Sequence, residues 1–442
     1  MHWSTAAPED RKGENMAMKK EYQFKYGEGY QSFLLNPQNV IQELHAKAIQ
    51  PVEDVVKEIG RVLDDPIASA PFNTLFKAGD KVTIVVSDIT RLLKLHDYLP
   101  TIVNRLNGLG IPDEDMLILT ATGTHRGQTP EEKKKIVGEE VYARIEVVDH
   151  DCDHSEMVYV GTTPRGTEVV VNRLVVDRKV ILTGGIVHHL MAGFGGGRKS
   201  IIPGVASRKT IAQNHLHSLD PNAEQSNPLI GVGALINNPL HEDMVDGTGL
   251  VNPDFLINTI MHTDGRIAKF VAGHWLKAWE EGCAWADENY GVPIDKQADL
   301  VIASCGGFPK DISLYQSTKT LFNAALAVKP GGTILLLAEC REGAGADEFF
   351  GWSEPLKEKT LDPELRKNFT IPGYIFYAAV ESAAKAKVIL YSEIEPELVK
   401  PMGMIGANSF AEAIELAGVD QENQDVILMP YGGATIPLYQ KR

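Results

Sequence analysis

Short, fully apolar runs alternate along the chain with longer segments of helical period. KVTIVVS (81–87), MLILTAT (116–122), RIEVVDHD (144–151) and KVILTGGIV (179–187) are β-branched and continuous, as expected of strands covered on both faces. Between them the pattern predicts helices near 96–108 and over TPEEKKKIVG (129–138), where Thr129 is placed to cap and Glu132 to complete a capping box. EMVYVGTTPRGTEVVVN (156–172) predicts a hairpin about Pro-Arg-Gly. A second series begins near 298: strand ADLVIASC (298–305), helix LYQSTKTLFNAALAV (314–328), strand GTILLLAEC (332–340), strand VILYSE (388–393), helix SFAEAIELAG (409–418) and strand DVILMPYG (425–432).

Strands alternating with helices imply parallel sheets with crossover helices. The expected fold class is α/β: two α/β domains with mainly parallel sheets flanking an active-site cleft. The first domain is expected over 20–285, completed by 421–442 through DVILMPYG, and the second over 286–420. Residues 207–290 are expected to be mostly helical and irregular, and residues 1–19 a disordered extension.

A chain of 442 residues is too long for one core, and 43% hydrophobic content supplies two. The net charge of −16 argues against a general nucleic-acid binder, which needs a basic excess to displace counterions. Cys152, Cys283, Cys305 and Cys340 are scattered, with no Cys-x-x-Cys pair, which suits a reducing cytoplasm. No secretory h-region and no apolar run of about 18 residues is present, so no membrane partner is expected.

In parallel sheets ligands bind beyond the carboxyl ends of the strands. The residues at those ends in the first series are Asp88, Thr90 and Arg91; His125 and Arg126; His188 and His189; and then a glycine run ending Gly195-Gly196-Gly197-Arg198-Lys199-Ser200. That run is not a phosphate loop, because arginine stands where the last Walker glycine belongs. The second series adds Lys310, Asp311, Tyr315, Gln316 and Lys319. One of the neighbouring histidines 188 and 189 must face away from the site, since adjacent residues in extended chain point to opposite sides. HDCDH (150–154) matches no tetrahedral metal spacing and is read as structural.

Cations in an acidic protein suit a small anionic substrate, and histidines suit proton transfer near neutral pH. Lys199, beside Arg198, is expected to have a lowered pKa and to act as a covalent anchor. The residues by themselves lead to acid/base chemistry on a small acid and no further.

Taken together, SDITR (87–91), ATGTHR (121–126), HLMAGFGGGRKSIIPG (189–204), NH (214–215), NNPLHEDM (237–244), GGFPKDISLYQSTK (306–319) and AECREGAG (338–345) resemble the nickel-pincer lactate racemase family. The resemblance covers about 25 to 435. It implies a nickel-pincer nucleotide joined through a thioamide to Lys199, with Gly195, Gly196, Gly197 and Arg198 around it and His215 as a nickel ligand. It implies His125 and His189 as the acid/base pair, assisted by Arg91 and Asp88, and Tyr315, Gln316 and Lys319 on the substrate carboxylate. The reaction implied is inversion of C2 of a 2-hydroxyacid by hydride transfer. Other proteins make the nucleotide and are the expected partners, so a foreign host is expected to yield an empty apo form.

The chain departs from the family pattern at Leu92, which stands directly after Arg91, and at Gly195, which replaces a serine. Tyr374, Phe376 and Tyr377 stand near the place of a tryptophan found in lactate-specific members. Malate, an aryl-lactate or an aldonate is therefore an open substrate. Two other readings remain: a lysine Schiff-base lyase or aldolase acting on a 2-oxo acid, and a non-catalytic cofactor-binding protein.

Overall fold

The computed structural model describes residues 19–91, 93–346, 348–419, 421 and 423–439. The expected N-terminal extension lies, apart from Lys19, outside the described residues. The chain forms two six-stranded sheets with helices packed on them, as the alternation of runs requires.

From edge to edge the first sheet runs Ile267–Gly273, Phe255–Met261, Lys179–Gly185, Val82–Ser87, Met116–Ala121 and Glu146–Asp149. All neighbours are parallel except the Phe255–Met261 and Ile267–Gly273 pair. Residues 207–290 are otherwise mostly helical and irregular, as expected, but that hairpin was not anticipated there. Its signal was present, since Asp264-Gly265 between two apolar runs is a hairpin signature.

The second sheet is wholly parallel: Ile405–Ala407, Lys387–Tyr391, Val328–Leu337, Ala298–Ser304, Val426–Met429 and Val40–Glu43. Here the expected domain limits are corrected. Val426–Met429 does not return to the first sheet but lies between Ala298–Ser304 and Val40–Glu43. The N-terminal hairpin Lys20–Tyr26/Gly29–Leu35 likewise packs its Phe24, Phe33 and Leu35 against Leu300, Ile302 and Leu428. All four residues of Val426–Met429 are buried, so its composition reports double-sided burial and not which sheet supplies it.

The elements form where their sequences direct. Thr129 and Glu132 make both halves of the capping box at helix Pro130–Val137, and the 156–172 hairpin pairs Met157–Thr162 with Glu168–Asn172. One apolar cluster joins inner faces of both sheets, from Val85 and Leu182 to Val301 and Leu336. Each such side chain contributes about 1.5–3 kcal/mol when fully buried.

Val82–Ser87 is the reversal point of the first sheet. The chain first adds strands on one side of it, then crosses to Lys179–Gly185 on the other. The residues after these three adjacent strands therefore meet in one crevice.

Candidate active site

The segment after the central strand begins with Asp88, whose carboxylate is 1% exposed. It accepts hydrogen bonds from Thr90 Oγ1 at 2.6 Å and from His125 Nδ1 at 2.5 Å, and Arg91 stands 3.8 Å away. Burial works to raise the Asp88 pKa, but the hydrogen bonds from His125 and Thr90 and the Arg91 charge outweigh it, and the net direction is down. An ionised carboxylate on Nδ1 selects the tautomer with Nδ1 protonated, leaving Nε2 of His125 as a lone pair. The His125 side chain is 47% exposed, at the mouth of the crevice.

His189 occupies the corresponding place on the other flank, with a different setting. Its Nδ1 accepts from the backbone N–H groups of Met191 and Ala192 at 3.2 and 3.3 Å. That leaves the proton on Nε2, which lies 3.4 Å from Lys199 Nζ. Burial, then the charges of Lys199, Arg91 and Arg198, hold the His189 pKa well below the ordinary imidazole value. His188 faces away, as alternation requires: its Nε2 meets Asp287 at 2.7 Å and its ring packs on Phe194.

Lys199 is half-buried on a single 3-10 turn, Gly197–Ser200. Among the described residues no carboxylate pairs with it. Burial, then the Arg198 and Arg91 charges, drives its pKa well below the usual ammonium value. His215, on helix Arg208–Leu216, is fully buried. Its Nδ1 donates to the Ile211 carbonyl at 2.9 Å, and its Nε2 has no partner among the described residues. Burial and the nearby Lys199 charge push its pKa down to about 3. A neutral imidazole with one nitrogen oriented and the other an unused, buried lone pair is the donor a transition metal requires. With the buried Lys199 amine nearby, its pKa held below the ordinary ammonium value, these residues fit a lysine-tethered, metal-bearing cofactor.

The glycine run has another role than the one expected. Gly196 and Gly197 adopt φ of +70° and +54°, and a Cβ on them would meet Asn258 and Gly185 backbone, or the Trp279 ring, within 3.0 Å. Gly195 lies under the same packing, its carbonyl accepting from Trp279 Nε1 at 2.8 Å. The close approach these glycines permit is to the protein itself. Arg198 is also reassigned. It is fully buried, donates to the carbonyls of Ala192, Phe194 and Gly196 and to His241 Nδ1, and lies 4.0 Å over the Trp279 ring. With its guanidinium spent on these acceptors, it braces the turn that presents Lys199 and does not point at a ligand.

From the second domain, helix Leu314–Ala327 presents Tyr315, Gln316 and Lys319 at its N-terminal end, capped by Ser313. Lys319 Nζ donates to Gln316 Oε1 at 2.7 Å. The Arg91 charge reaches both Tyr315 and Lys319, so the strand-end loop of the first domain and this helix face one another. Burial is the larger influence on each, raising the Tyr315 pKa and lowering that of Lys319.

Other strand-end residues are structural. Arg126 is bound to Glu132 at 2.7 and 2.8 Å, and so is not a free anion receptor. Asp311 is buried and accepts from Gly27 N–H at 2.7 Å, fastening the N-terminal hairpin. In HDCDH, His150 is buried between the Ala206 carbonyl and Asn172, and Asp153 pairs with Arg208. Asp151, Cys152 and Asp153 could sit within reach of one ion, but their two acids are exposed and engaged locally. The reading of sequence missed Trp279, His241, Asn258 and Phe369, all of which lie far along the chain from the loops they support.

The family model of the lactate racemase N-terminal domain matches residues 26–226, and that of the lactate racemase C-terminal domain matches 294–436. A lactate racemase from Thermoanaerobacterium thermosaccharolyticum is 32% identical over 397 residues, covering 88% of this chain and 91% of its own. One from Lactiplantibacillus plantarum is 33% identical over 371 residues, covering 81% and 85%. The solved lactate racemase apoprotein from T. thermosaccharolyticum superposes with a TM-score of 0.85 at 31% identity, over 95% of this chain and all of that one. A crystal structure of a Thermotoga maritima protein has a TM-score of 0.63 at 17% identity, over 88% of this chain and 100% of its own, which shows the fold alone.

Proposed function

Since the chain belongs to the lactate racemase family and is an isomerase, we propose that it inverts C2 of a small 2-hydroxyacid, lactate or a related 2-hydroxycarboxylate, with a nickel-pincer nucleotide tethered at Lys199. The observation that carries this reading is the buried Nε2 of His215, without a partner among the described residues, within electrostatic reach of the Lys199 amine, which no described carboxylate pairs.

In this reading Lys199 holds the nucleotide through a thioamide and His215 binds its nickel. When bound, the nucleotide supplies a reversible acceptor for the C2 hydrogen and its electron pair. Tyr315, Gln316 and Lys319 hold the substrate carboxylate by charge-assisted hydrogen bonds, with C2 directed into the crevice. His125, kept as an Nε2 base by Asp88, takes the hydroxyl proton as C2 becomes planar. Arg91 stabilises the charge that develops on that oxygen. His189 begins on the other flank as an Nε2–H donor. It can take a proton only by releasing the two backbone N–H groups from Nδ1. The other enantiomer would follow when the C2 hydrogen comes back to the opposite face of the planar carbon and His125 gives its proton from Nε2 back to the oxygen.

The test is protein produced together with the cofactor-making proteins. Intact mass is expected to show a covalent adduct, with about one nickel per chain, and the adduct is lost in Lys199→Ala while the fold persists. Racemisation of lactate or a related 2-hydroxyacid is expected only with the adduct present. If borohydride plus a 2-oxo acid traps Lys199 and no nickel is taken up, a Schiff-base lyase replaces this reading.

A further inference from the structure

The second domain contributes one side chain directly to His215. Phe369 stands just before helix Ile371–Lys385, and its ring lies 6.0 Å from the His215 ring, inclined by 49°. It is half-buried and stacks on Tyr374 at 6.0 Å and 25°. Tyr374 is itself buried and donates to Ser226 Oγ at 3.0 Å.

Ser226 belongs to the loop that leaves the His215 helix, and the second domain grips that loop at three points. Besides Tyr374, Glu381 accepts from Ser226 N–H at 2.8 Å, and Arg366 donates to the carbonyls of Asp220 and Ala223 at 2.8 and 2.9 Å. The loop is tied back to the helix end, where Ser218 Oγ donates to the His215 carbonyl at 2.7 Å and Asn227 N–H to the Ser218 carbonyl at 2.8 Å. These bonds fix the second-domain ring against the first-domain imidazole.

We propose that Phe369 is a positioning residue for the metal site: its ring shields the His215 imidazole from water and holds its orientation, so the metal-binding wall is complete only when both domains are docked. This rests on the reading of His215 as a nickel ligand. The physical reason is that Nδ1 is fixed by one carbonyl of its own helix. An apolar ring beside it restricts swinging of the imidazole, and keeps a competing water or chelator from the metal. No polar group of Phe369 takes part, so the effect lies in exchange of the metal and not in proton transfer.

The experiment compares wild type, Phe369→Ala and Phe369→Leu, each loaded with cofactor. Nickel release to excess EDTA is expected to be about 10-fold faster in Phe369→Ala, with the covalent adduct unchanged by mass and Tm near wild type. Phe369→Leu, which restores apolar bulk, is expected to recover most of the difference. On the apo proteins, carbethoxylation of His215 by diethylpyrocarbonate is expected to quicken in Phe369→Ala relative to His150, which serves as an internal buried standard. Equal nickel release and equal modification in wild type and Phe369→Ala would overturn the proposal. So would faster release that tracks a fall in Tm and is not rescued by leucine. Wild-type protein that carries no nickel defeats the reading of His215 itself, and this proposal with it.

Discussion

His125 and His189 occupy equivalent places, one after each strand that flanks Val82–Ser87, yet the protein sets them differently. His125 has a buried carboxylate on Nδ1 and solvent at its other edge. His189 has two backbone N–H groups on Nδ1 and cations around it. The first is prepared to gain a proton at Nε2, and the second to offer a hydrogen bond from Nε2. Two identical side chains at matching sheet positions thus acquire unequal roles from what touches the far nitrogen. Inversion needs access to both faces of a carbon, and the unequal settings give the resting site a defined acceptor on one flank and a defined donor on the other.

The largest expected effect comes from deleting either member. His125→Ala and His189→Ala should each lower racemisation about 10²-fold or more in both directions, as for loss of a general acid or base. Polarimetry from each pure enantiomer of cofactor-loaded enzyme checks this. Near-normal racemisation by either variant would make that histidine structural and end the comparison.

Asp88→Asn tests the setting itself. The amide can present its N–H to Nδ1 and so favour the tautomer with the proton on Nε2, which removes the base without removing the ring. A loss of about 10²-fold in kcat with little change in KM is expected, near the lower bound for acid/base loss. Nitrogen NMR of His125 should show the tautomer change. An unchanged tautomer would sever the link between the carboxylate and the role of His125.

Lys319→Ala should spare both histidines and weaken the hold on substrate. A charged hydrogen bond contributes about 1.5–3 kcal/mol, so KM should rise by roughly 10- to 100-fold. A loss confined to kcat would move Lys319 from substrate binding to the chemistry.

The smallest effect is on stability of the apo protein. His189 and His215 are neutral in the fold, with pKa values lowered by burial and by Lys199, whereas in the unfolded chain they protonate near 6.5. Below that pH the unfolded state binds more protons, so stability falls as pH drops, and for His215 the fall continues toward pH 3. Each group contributes a slope of at most about 1.4 kcal/mol per pH unit. Thermal melts from pH 7 to 5 should therefore be less steep in His215→Gln than in wild type.

Much of this molecule was legible along the chain because parallel α/β architecture ties function to strand ends. Continuous apolar runs marked the buried strands, and the polar residues just after them, Asp88, Arg91, His125, His189 and Lys199, were thereby gathered into one crevice. The capping box at Thr129 and Glu132 was readable for the same reason: its donors and acceptors are close in sequence. Tertiary structure decided what depends on distant partners. Val426–Met429 joined the second sheet, because a strand buried on both faces carries no mark of its neighbours. Arg198, adjacent to Lys199, turned inward to carbonyls and Trp279, since only the folded loop fixes which way a guanidinium points. Histidine is the same letter at 125 and at 189. The carboxylate on one Nδ1 and the amide groups on the other are supplied by the folded surroundings, and they decide which nitrogen keeps the proton.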